Sequence, residues 1–487
     1  MVAALGSAAA QQDPPPVLLA GLLIATGFAS ATLDGVFSAA LSVAFVYFSS
    51  TFIERMMGGF PRGFGYPLLA LALWALAAGR ARTLVLLPAV AMAFYPVVEL
   101  PAGAALGIWL LFYPPRLRGS AERWRLPVRL AALAAAALLM FVAQLSSASA
   151  RAAFGRELKP SDWSEYPEAG PGGRSRVTVR GTLASDGARD IHESVRHTLI
   201  KRGDPFSEPV HRLFHRRLLA RPWQSAVFLL LVILGLALRA RSSAAAARLL
   251  AIVPATAGVY AGARALYPML FQPERYAAYA IPVFLVIAMP SAVQGWANLL
   301  RRPAAAPESP SRAVTLLICT LLLLGDGGEF FRRTKITLAL DEEDQAFMRF
   351  VRSLHAGSVL AGWDSTVDCI PYAGERPVFL SGETHLCYHQ GYVDEMRRRF
   401  RAQTEAYFAT NPAPLIDLRD RFGVTHLVVL PRHFEGRPPR YFAPFDRDLK
   451  HAAAAIRSTN NLEVVRNRER AGVFSNSKMY VLDLHRL

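Results

Sequence analysis

Long apolar blocks separated by polar turns constrain this chain more than any other feature of its sequence. A bilayer core about 30 Å thick is crossed by a helix of roughly 17–25 mostly apolar residues. Hydrophobic residues make up 53% of the chain and charged residues 19%, whereas about a quarter of the residues of soluble proteins are charged. We therefore predict a polytopic α-helical membrane bundle. We count about ten candidate spans, several of which are short for a full crossing. They are Val17–Leu33, Val36–Ile53, Phe64–Ala78, Thr83–Val98, Gly103–Tyr113, Leu130–Leu145, Ser225–Leu238, Leu249–Leu266, Tyr279–Trp296 and Ala313–Leu324.

The positive charge of the chain follows the turns between these spans. Lys and Arg number 54 against 37 Asp and Glu, a formal net charge of +17. Many arginines fall in one alternating set of turns, at Arg80, Arg82, Arg116, Arg118, Arg123, Arg125, Arg129, Arg239, Arg241, Arg248, Arg301, Arg302 and Arg312. Because cytoplasmic loops are enriched in Lys and Arg, we place this set in the cytoplasm and the opposite turns outside. The basic charge then reflects membrane topology, and we expect no nucleic-acid partner.

This topology divides the chain into four regions. Residues 1–145 form an N-terminal transmembrane bundle, and 224–326 hold the later spans. Between them, 146–223 form an extracytoplasmic loop too long for a simple connector, hence either a lid over a site or a disordered segment. Residues 327–487 read as a soluble extracytoplasmic α/β domain.

Hydrophobic patterning predicts the elements of the polar regions. Strands are expected at Ser358–Ala361, Arg376–Leu380, Thr425–Leu430, Asn461–Val465, Ala471–Phe474 and Met479–Leu484. Helices are expected at Asp190–Leu219, Asp341–Leu354, Val393–Ala409 and Pro414–Phe422. The first of these helices is basic and amphipathic and lies in the long loop.

Candidate binding residues follow from their position at the outer ends of spans, because no catalytic triad, HExxH motif or P-loop is present. Arg62 and Arg275 could hold a phosphate through charge-assisted bonds. Glu274 and Glu99, on the same predicted outer face, complete the predicted substrate-binding set. For each, the alternative is a side chain that anchors a span at the headgroups. Asp34, between the first two spans, is interpreted as a helix cap.

Metal and thiol chemistry receive weaker support. Four residues alternate along one predicted strand and could face a metal, although an exposed polar strand fits them better; they are Glu383, His385, Cys387 and His389. His211 and His215 have helical metal-site spacing but lie among arginines. We assign no metal site and leave a divalent metal open. Cys369 and Cys387 are expected to form a disulfide if their domain is extracytoplasmic.

The layout resembles the GT-C superfamily of integral-membrane glycosyltransferases. The stretches that carry the resemblance are Gly58–Pro67, Gln272–Tyr276 and a tail pattern that includes Trp363-Asp364 and Phe422–Val429. The resemblance implies transfer of a sugar from a polyprenyl-phosphate donor to a glycan, lipid or protein acceptor. It also implies location in a bacterial cytoplasmic (inner) membrane, with the chemistry on the outer face.

One departure from the family pattern leaves the catalytic residue unknown. Members place a catalytic carboxylate in the first outer loop, and this chain has no such loop. We therefore expect either an N-terminally truncated sequence or a protein that has lost catalysis. The alternative function is a non-catalytic envelope membrane protein whose outer α/β domain binds a glycan or partner protein. A secondary transporter is less favoured, because paired repeats are not evident.

Overall fold

The chain forms two compact units. The structure, a computed structural model, describes residues 14–56, 61–80, 82–84, 86–87, 95–112, 152–171, 173–174, 183–199, 219, 221–266, 272–300, 341–456 and 461–487. Unit 1 comprises Met1–Ser146 and Arg180–Ile336, and unit 2 comprises Ser147–Val179 and Thr337–Leu487. The predicted outer loop is thus divided between the units, since its first part groups with the C-terminal region.

Unit 1 is built from helices. Their bounds are α1 Pro14–Phe48, α2 Ser50–Met56, α3 Gly65–Ala77, α4 Glu99–Phe112, α5 Leu183–Leu199, α6 Pro222–Ala240, α7 Ala244–Leu249, α8 Ile252–Ala265 and α9 Pro273–Leu300. Among the described residues, four helical stretches are long and apolar enough to cross a membrane: Val17–Tyr47, Pro222–Ala240, Ala244–Ala265 and Pro273–Leu299. The first of these is interrupted at Asp34 and Gly35. The prediction that the chain contains helices able to span a membrane is confirmed by their length and composition. Leu130–Leu145, Ala313–Leu324 and half of Thr83–Val98 lie outside the described residues.

Helix α1 is a hairpin of two helical arms. Its helical geometry breaks at Asp34 and Gly35, and Gly35 has φ of 86°. The Ser30 hydroxyl donates to the Ser42 hydroxyl at 2.8 Å, whereas residues this far apart in one continuous helix would be separated by about 18 Å. The chain therefore reverses at Asp34, where the sequence divides the first two predicted spans.

Asp34 ties this reversal to two other helices. Its side chain is fully buried and pairs with Arg239 of α6 at 2.5 Å. It also accepts a hydrogen bond from Ser291 of α9. The interpretation as a helix cap is therefore wrong, because the carboxylate bonds to side chains on distant helices. Removing one partner of such a buried pair leaves an uncompensated charge, so the pair fixes the hairpin against α6 and α9.

Helices α6 and α9 approach each other through glycine. A Cβ atom on Gly295 would lie 1.9 Å from the Gly235 carbonyl oxygen, and one on Gly235 would lie 2.6 Å from the Ala292 carbonyl oxygen. Small residues let helix backbones come this close within a membrane. The Trp296 indole also donates to the Leu231 carbonyl at 3.0 Å across the contact.

Unit 2 is an α/β unit with a mixed sheet. Its elements are α10 Glu342–Ser353, β1 Leu360–Ala361, α11 Ser365–Asp368, α12 Gln390–Tyr407, α13 Ala413–Asp420, β2 His426–Val429, α14 Phe445–Ala454, α15 Glu463–Arg466, α16 Arg468–Ala471, β3 Gly472–Ser475 and β4 Tyr480–Asp483. The strand order is β1-β2-β4-β3. Strand β1 pairs with β2 in parallel, and the other neighbours are antiparallel. The four residues of β2 are all buried, which places this strand in the core.

Two predicted strands differ in the structure. The segment Arg376–Leu380 contributes only a bridge between Val378 and Leu360. The strand predicted at Asn461–Val465 is wrong, because helix α15 begins at Glu463. Its Arg466 pairs with Glu463 at 2.8 Å, a contact favoured by the i,i+3 spacing of a helical turn.

The segment 152–171 is an integral part of unit 2. Glu157 forms a β-bridge with His389, immediately before α12. Further along, Glu168 receives two hydrogen bonds from Arg397, at 2.5 and 2.9 Å, and its side chain is 1% exposed. Tyr166 accepts a bond from Gln390 at 3.0 Å. These contacts attach the segment to α12, while its proposed lid function stays a prediction.

Candidate functional site

Arginine and tyrosine side chains from separate segments meet at one end of unit 1. We call this group the arginine–tyrosine cluster: Arg55, Tyr66, Tyr95, Arg275 and Tyr279. The Arg55 guanidinium lies 5.0 Å from the centre of the Tyr279 ring. The Tyr279 ring in turn lies 5.0 Å from that of Tyr66 and 5.1 Å from that of Tyr95. Helices α2, α3 and α9 and the turn Pro96–Val98 therefore converge there.

The chain folds locally so that these groups can approach. A Cβ atom on Gly65 would lie 2.6 Å from the Tyr279 ring, so a glycine is needed at the start of α3. Tyr66 is 1% exposed, and its hydroxyl donates to the Ala278 carbonyl of α9 at 3.3 Å. The Tyr279 hydroxyl donates to the Arg62 carbonyl at 3.4 Å. The close approach at Gly65 and the tyrosine hydrogen bonds thus fix the start of α3 against α9.

Arg275 lies in the first turn of α9 and is held in place by two bonds. Its Nε donates to the Gln272 side chain at 2.9 Å, and its Nη1 donates to the Tyr95 hydroxyl at 3.3 Å. The side chain is half-buried. A guanidinium fixed in this way beside aromatic rings is suited to hold an anion, since its planar fork is already oriented.

The structure brings only part of the predicted substrate-binding set together. Arg275 is in the cluster, and Arg62 contributes its backbone carbonyl there while its side chain is exposed. Glu274 is half-buried at the start of α9. The side chain of Glu99 lies outside the described residues. Arg55, which was not among the four predicted residues, belongs to the cluster.

An apolar cavity of about 470 Å³ lies between α5, α6, α8 and α9 of unit 1. Its walls include Ile191, Leu229, Ile281 and Phe284. At a polar edge, the Tyr260 hydroxyl donates to Asp190 at 2.6 Å. Because α9 supplies residues to both the cavity and the arginine–tyrosine cluster, the two sites lie within about 14 Å along one helix axis. The cavity can accept an aliphatic chain.

Unit 2 contains a larger and more polar cavity, of about 970 Å³. Trp363, Asp364 and Asp368 line it just beyond β1, and Arg432 lines it beyond β2. Arg174, from the segment that the sequence assigns to the outer loop, lies on its wall. The carboxyl ends of the two parallel strands thus open into this cavity, where ligands of α/β folds commonly bind.

Asp364 is fixed at the floor of this cavity. Burial alone would raise the pKa of its carboxyl, but a bond from His433 at 3.0 Å and an ion pair with Arg432 lower that pKa to about 2. Its φ is 78°, in the left-handed region that side chains other than glycine seldom adopt. The carboxylate is therefore ionised and held in one orientation.

The thiol and metal predictions are not supported by unit 2. Cys369 and Cys387 are free, so the predicted disulfide is wrong, and burial raises the pKa of the Cys387 thiol to about 12. The segment from Glu383 to His389 forms turns, not a strand. His385 is fully buried beside aromatic rings while Glu383 is exposed. No group of three or more metal-ligating side chains occurs in the part of the chain that the structure describes.

Sequence reasoning missed the role of Arg174 and the extent of the unit 2 cavity. The signal for Arg174 was an arginine at the end of a Pro/Gly-rich patch, Pro167–Arg174, which marks a turn. The signal for the cavity was Gly362-Trp363-Asp364 directly after a short strand. His211 and His215, the other histidines considered for a metal, lie outside the described residues.

Comparison with known proteins gives no relative from which a role could be transferred. Neither a scan against protein-family models nor a search of curated proteins finds a match to this chain. The two cavities and the arginine–tyrosine cluster therefore carry the functional argument.

Proposed function

We propose that this chain is a GT-C-like membrane glycosyltransferase that moves a sugar from a polyprenyl-phosphate donor to an acceptor. The observation that carries this proposal is the convergence of Arg55 and Arg275 with tyrosines at one end of unit 1. Guanidinium groups bind phosphate through strong, charge-assisted bonds, and the tyrosines hold the two arginines in place. The cluster thus has the chemistry of a phosphate site at the end of apolar helices.

The apolar cavity of unit 1 supports the same proposal. A polyprenyl phosphate needs an apolar surface for its chain and a cationic site for its phosphate, connected over a short distance. Helix α9 links both, through Arg275 in its first turn and Phe284 further along. We propose that the lipid lies along α9, on the outer face of a bacterial cytoplasmic membrane.

We name no catalytic base. Asp34 is paired with Arg239, Asp186 with Arg264 at 2.7 Å, and Asp190 accepts from Tyr260. Engaged carboxylates of this kind are poor candidates for taking a proton from an acceptor. Glu274, directly before Arg275, is the carboxylate that we propose next to the donor phosphate.

Binding of polyprenyl phosphate to the full-length protein in nanodiscs tests the phosphate site. Arg275→Ala should weaken binding at least about 10-fold, because hydrogen bonds to charged groups contribute about 1.5–3 kcal/mol each. Arg241→Ala is the control. Arg241 is also an arginine of unit 1, but it is exposed and lies at the C-terminal end of α6, outside the arginine–tyrosine cluster. In cells that lack the gene, wild type should restore a lost surface glycan and Arg275→Ala should not. Full restoration by Arg275→Ala would remove this residue from the mechanism.

The second candidate function is a non-catalytic envelope protein that binds a glycan through unit 2. The 970 Å³ cavity favours it, since a polar cavity with aromatic walls can bind a saccharide without any lipid donor. Purified protein that binds a glycan but transfers no labelled sugar from polyprenyl phosphate to any acceptor fraction of the envelope would favour this function over transfer.

A further inference from the structure

The unit 2 cavity has a rigid floor at the ends of two parallel strands. Gly362 and Asp364 have φ of 159° and 78°, so the chain turns sharply after β1. Asp364 is held by His433, whose other ring nitrogen bonds the Tyr407 hydroxyl at 2.8 Å. Backbone strain of about 1–3 kcal/mol at such a position is typical of ligand sites. The floor is thus built before any ligand arrives.

Buried polar atoms without a partner lie on residues that line the cavity. Within the described residues, these atoms include Trp363 Nε1, Arg174 Nε and Asp446 Oδ1. Trp363 is only 2% exposed. A buried donor without a partner costs about 1–3 kcal/mol, and such groups in a native protein need an explanation. These atoms lie behind the cavity surface, so the contacts to a ligand come from the accessible parts of the lining side chains.

Arg174 gives the cavity a cationic wall. Its guanidinium lies over the Phe442 ring, 4.2 Å from the ring centre, in a cation–π contact that holds it against the cavity wall. Arg437 and Arg440 also line the cavity, and Lys450 pairs there with Asp446 at 3.2 Å. A guanidinium held over an aromatic ring can still donate through its N–H groups to a carboxylate or phosphate. This wall therefore selects a ligand with an acid group.

Carboxylates and aromatic rings also line the cavity and suit the neutral parts of a sugar. Asp368 Oδ1 accepts the Gly382 amide at 2.9 Å, and Glu383 follows on the same cavity wall. Carboxylates accept hydrogen bonds from neighbouring hydroxyls through two oxygens. Tyr441, which is half-buried and lines the cavity, offers an apolar ring face that suits the C–H face of a sugar ring. Hydroxyls, an apolar ring face and an acid group occur together in an acidic sugar.

We propose that the unit 2 cavity binds a sugar that carries one acid group, with the acid on Arg174 and the ring hydroxyls on Asp368 and Glu383. A uronic acid and a sugar phosphate share this chemistry. The proposal names a ligand class and a site for unit 2, and it holds whether the chain transfers sugars or only binds them.

Calorimetric titration of the full-length protein in nanodiscs tests this site with four probes: glucuronate, glucose 1-phosphate, glucose and inorganic phosphate. At least one acidic sugar should bind at least 10-fold more tightly than glucose and than inorganic phosphate. Binding of glucuronate alone would identify a uronic acid, and binding of glucose 1-phosphate alone a sugar phosphate. Inorganic phosphate that binds as tightly as glucose 1-phosphate, in the absence of glucuronate binding, would overturn the sugar part of the proposal.

Two variants locate the binding. Arg174→Ala should weaken the acidic sugar at least 10-fold, and Glu383→Gln, at an exposed side chain, should weaken it while leaving thermal unfolding unchanged. Arg156→Ala is the matched control, because Arg156 is in the same segment but pairs with Asp162 at 2.7 Å and does not line the cavity. Affinity unchanged in both test variants, or no binding of either acidic sugar, would overturn the proposal. Loss of polyprenyl-phosphate binding in Arg275→Ala has no bearing on it, so the two proposals can fail separately.

Discussion

His385 is a buried histidine that unit 2 holds in its neutral form. It is fully buried, and its Nδ1 pairs with the Tyr441 hydroxyl at 3.0 Å. Burial first, and then the positive charges of Arg174 and Arg397, lower its pKa to about 3 from an ordinary value of 6.5. Protonation therefore favours the unfolded chain, where the imidazole is free to charge.

This burial predicts a pH dependence of stability. Because the folded-state pKa lies below the unfolded value, the stabilisation is complete above pH 6.5 and is lost as the pH falls from 6.5 towards 3. His385→Phe keeps an aromatic ring and should reduce the pH dependence of the free energy of unfolding by up to about 1.4 kcal/mol per pH unit in that window. Urea unfolding of unit 2 in the full-length protein, followed between pH 7 and 4, measures this.

The control for that measurement is His451→Phe, at an exposed position in the last turn of α14. It should retain the wild-type pH dependence. If His385→Phe and wild type lose stability in parallel as the pH falls, the histidine is not the group responsible.

Single residues differed in how far the sequence could identify them. Arg275 was predictable because it begins an apolar span after Pro273, and charges at such ends are conspicuous. Arg174 was not, because the ring on which it stacks belongs to Phe442, far along the chain. The ion pair of Asp34 was missed for the same reason, since its partner Arg239 lies on another helix.

At the scale of elements, the α6–α9 crossing depends on two glycines. Gly235 and Gly295 place the backbones in contact, and a Cβ atom on either would collide with the facing helix. Because both neighbours in this contact are backbone atoms, the helices must move apart to admit a methyl group. The crossing therefore tolerates no side chain at these positions.

Gly295→Ala should destabilise unit 1 by about 1–3 kcal/mol, the usual cost of overpacking a tight contact. Thermal unfolding of the full-length protein in detergent measures the effect as a lower Tm. Gly258→Ala in α8 is the control, since a Cβ there meets nothing within 4 Å. It should leave the Tm unchanged or raise it, because alanine favours a helix by up to about 1 kcal/mol. Equal Tm values for the two variants would argue against a backbone contact.

Elements were predictable where apolar periodicity is strong. Helices α6 and α9 cover Ser225–Leu238 and Tyr279–Trp296, the spans expected from the sequence. The strand at Asn461–Val465 was mispredicted, because a short stretch with only three apolar residues, Leu462, Val464 and Val465, does not distinguish a strand from a helical turn. The ion pair between Glu463 and Arg466 is a property of the helical spacing.

At the scale of the whole molecule, unit 2 is assembled from two distant segments. Residues 147–179 belong with 337–487, and Glu168 and Arg397 form a buried, bidentate ion pair between them. Loss of one partner in such a pair costs about 3–5 kcal/mol, because the other charge stays buried without compensation. The sequence divided these segments into separate domains, since no local pattern records this pairing.

A polypeptide of residues 147–179 joined by a flexible linker to 337–487 should therefore be more stable than 337–487 alone. We expect a gain of about 1.5 kcal/mol or more in the free energy of unfolding, measured by urea denaturation, because the segment adds hydrogen bonds to a charged group, which contribute about 1.5–3 kcal/mol. Glu168→Ala should remove most of this gain. Glu165→Ala, an exposed side chain in the same segment, should retain it. Unfolding of both polypeptides at the same urea concentration would show that the segment adds no stability.

The assembly of unit 2 from two distant segments also restricts how many times the intervening chain can cross a membrane. If unit 1 spans a membrane, both segments must emerge on the same side of the bilayer to fold together, so the number of crossings between residues 179 and 337 must then be even. Three of the long apolar helices lie in that interval, Pro222–Ala240, Ala244–Ala265 and Pro273–Leu299, and three is odd. Either one of them lies along the surface or a fourth crossing exists, for which Ala313–Leu324, outside the described residues, is the candidate that the sequence offers.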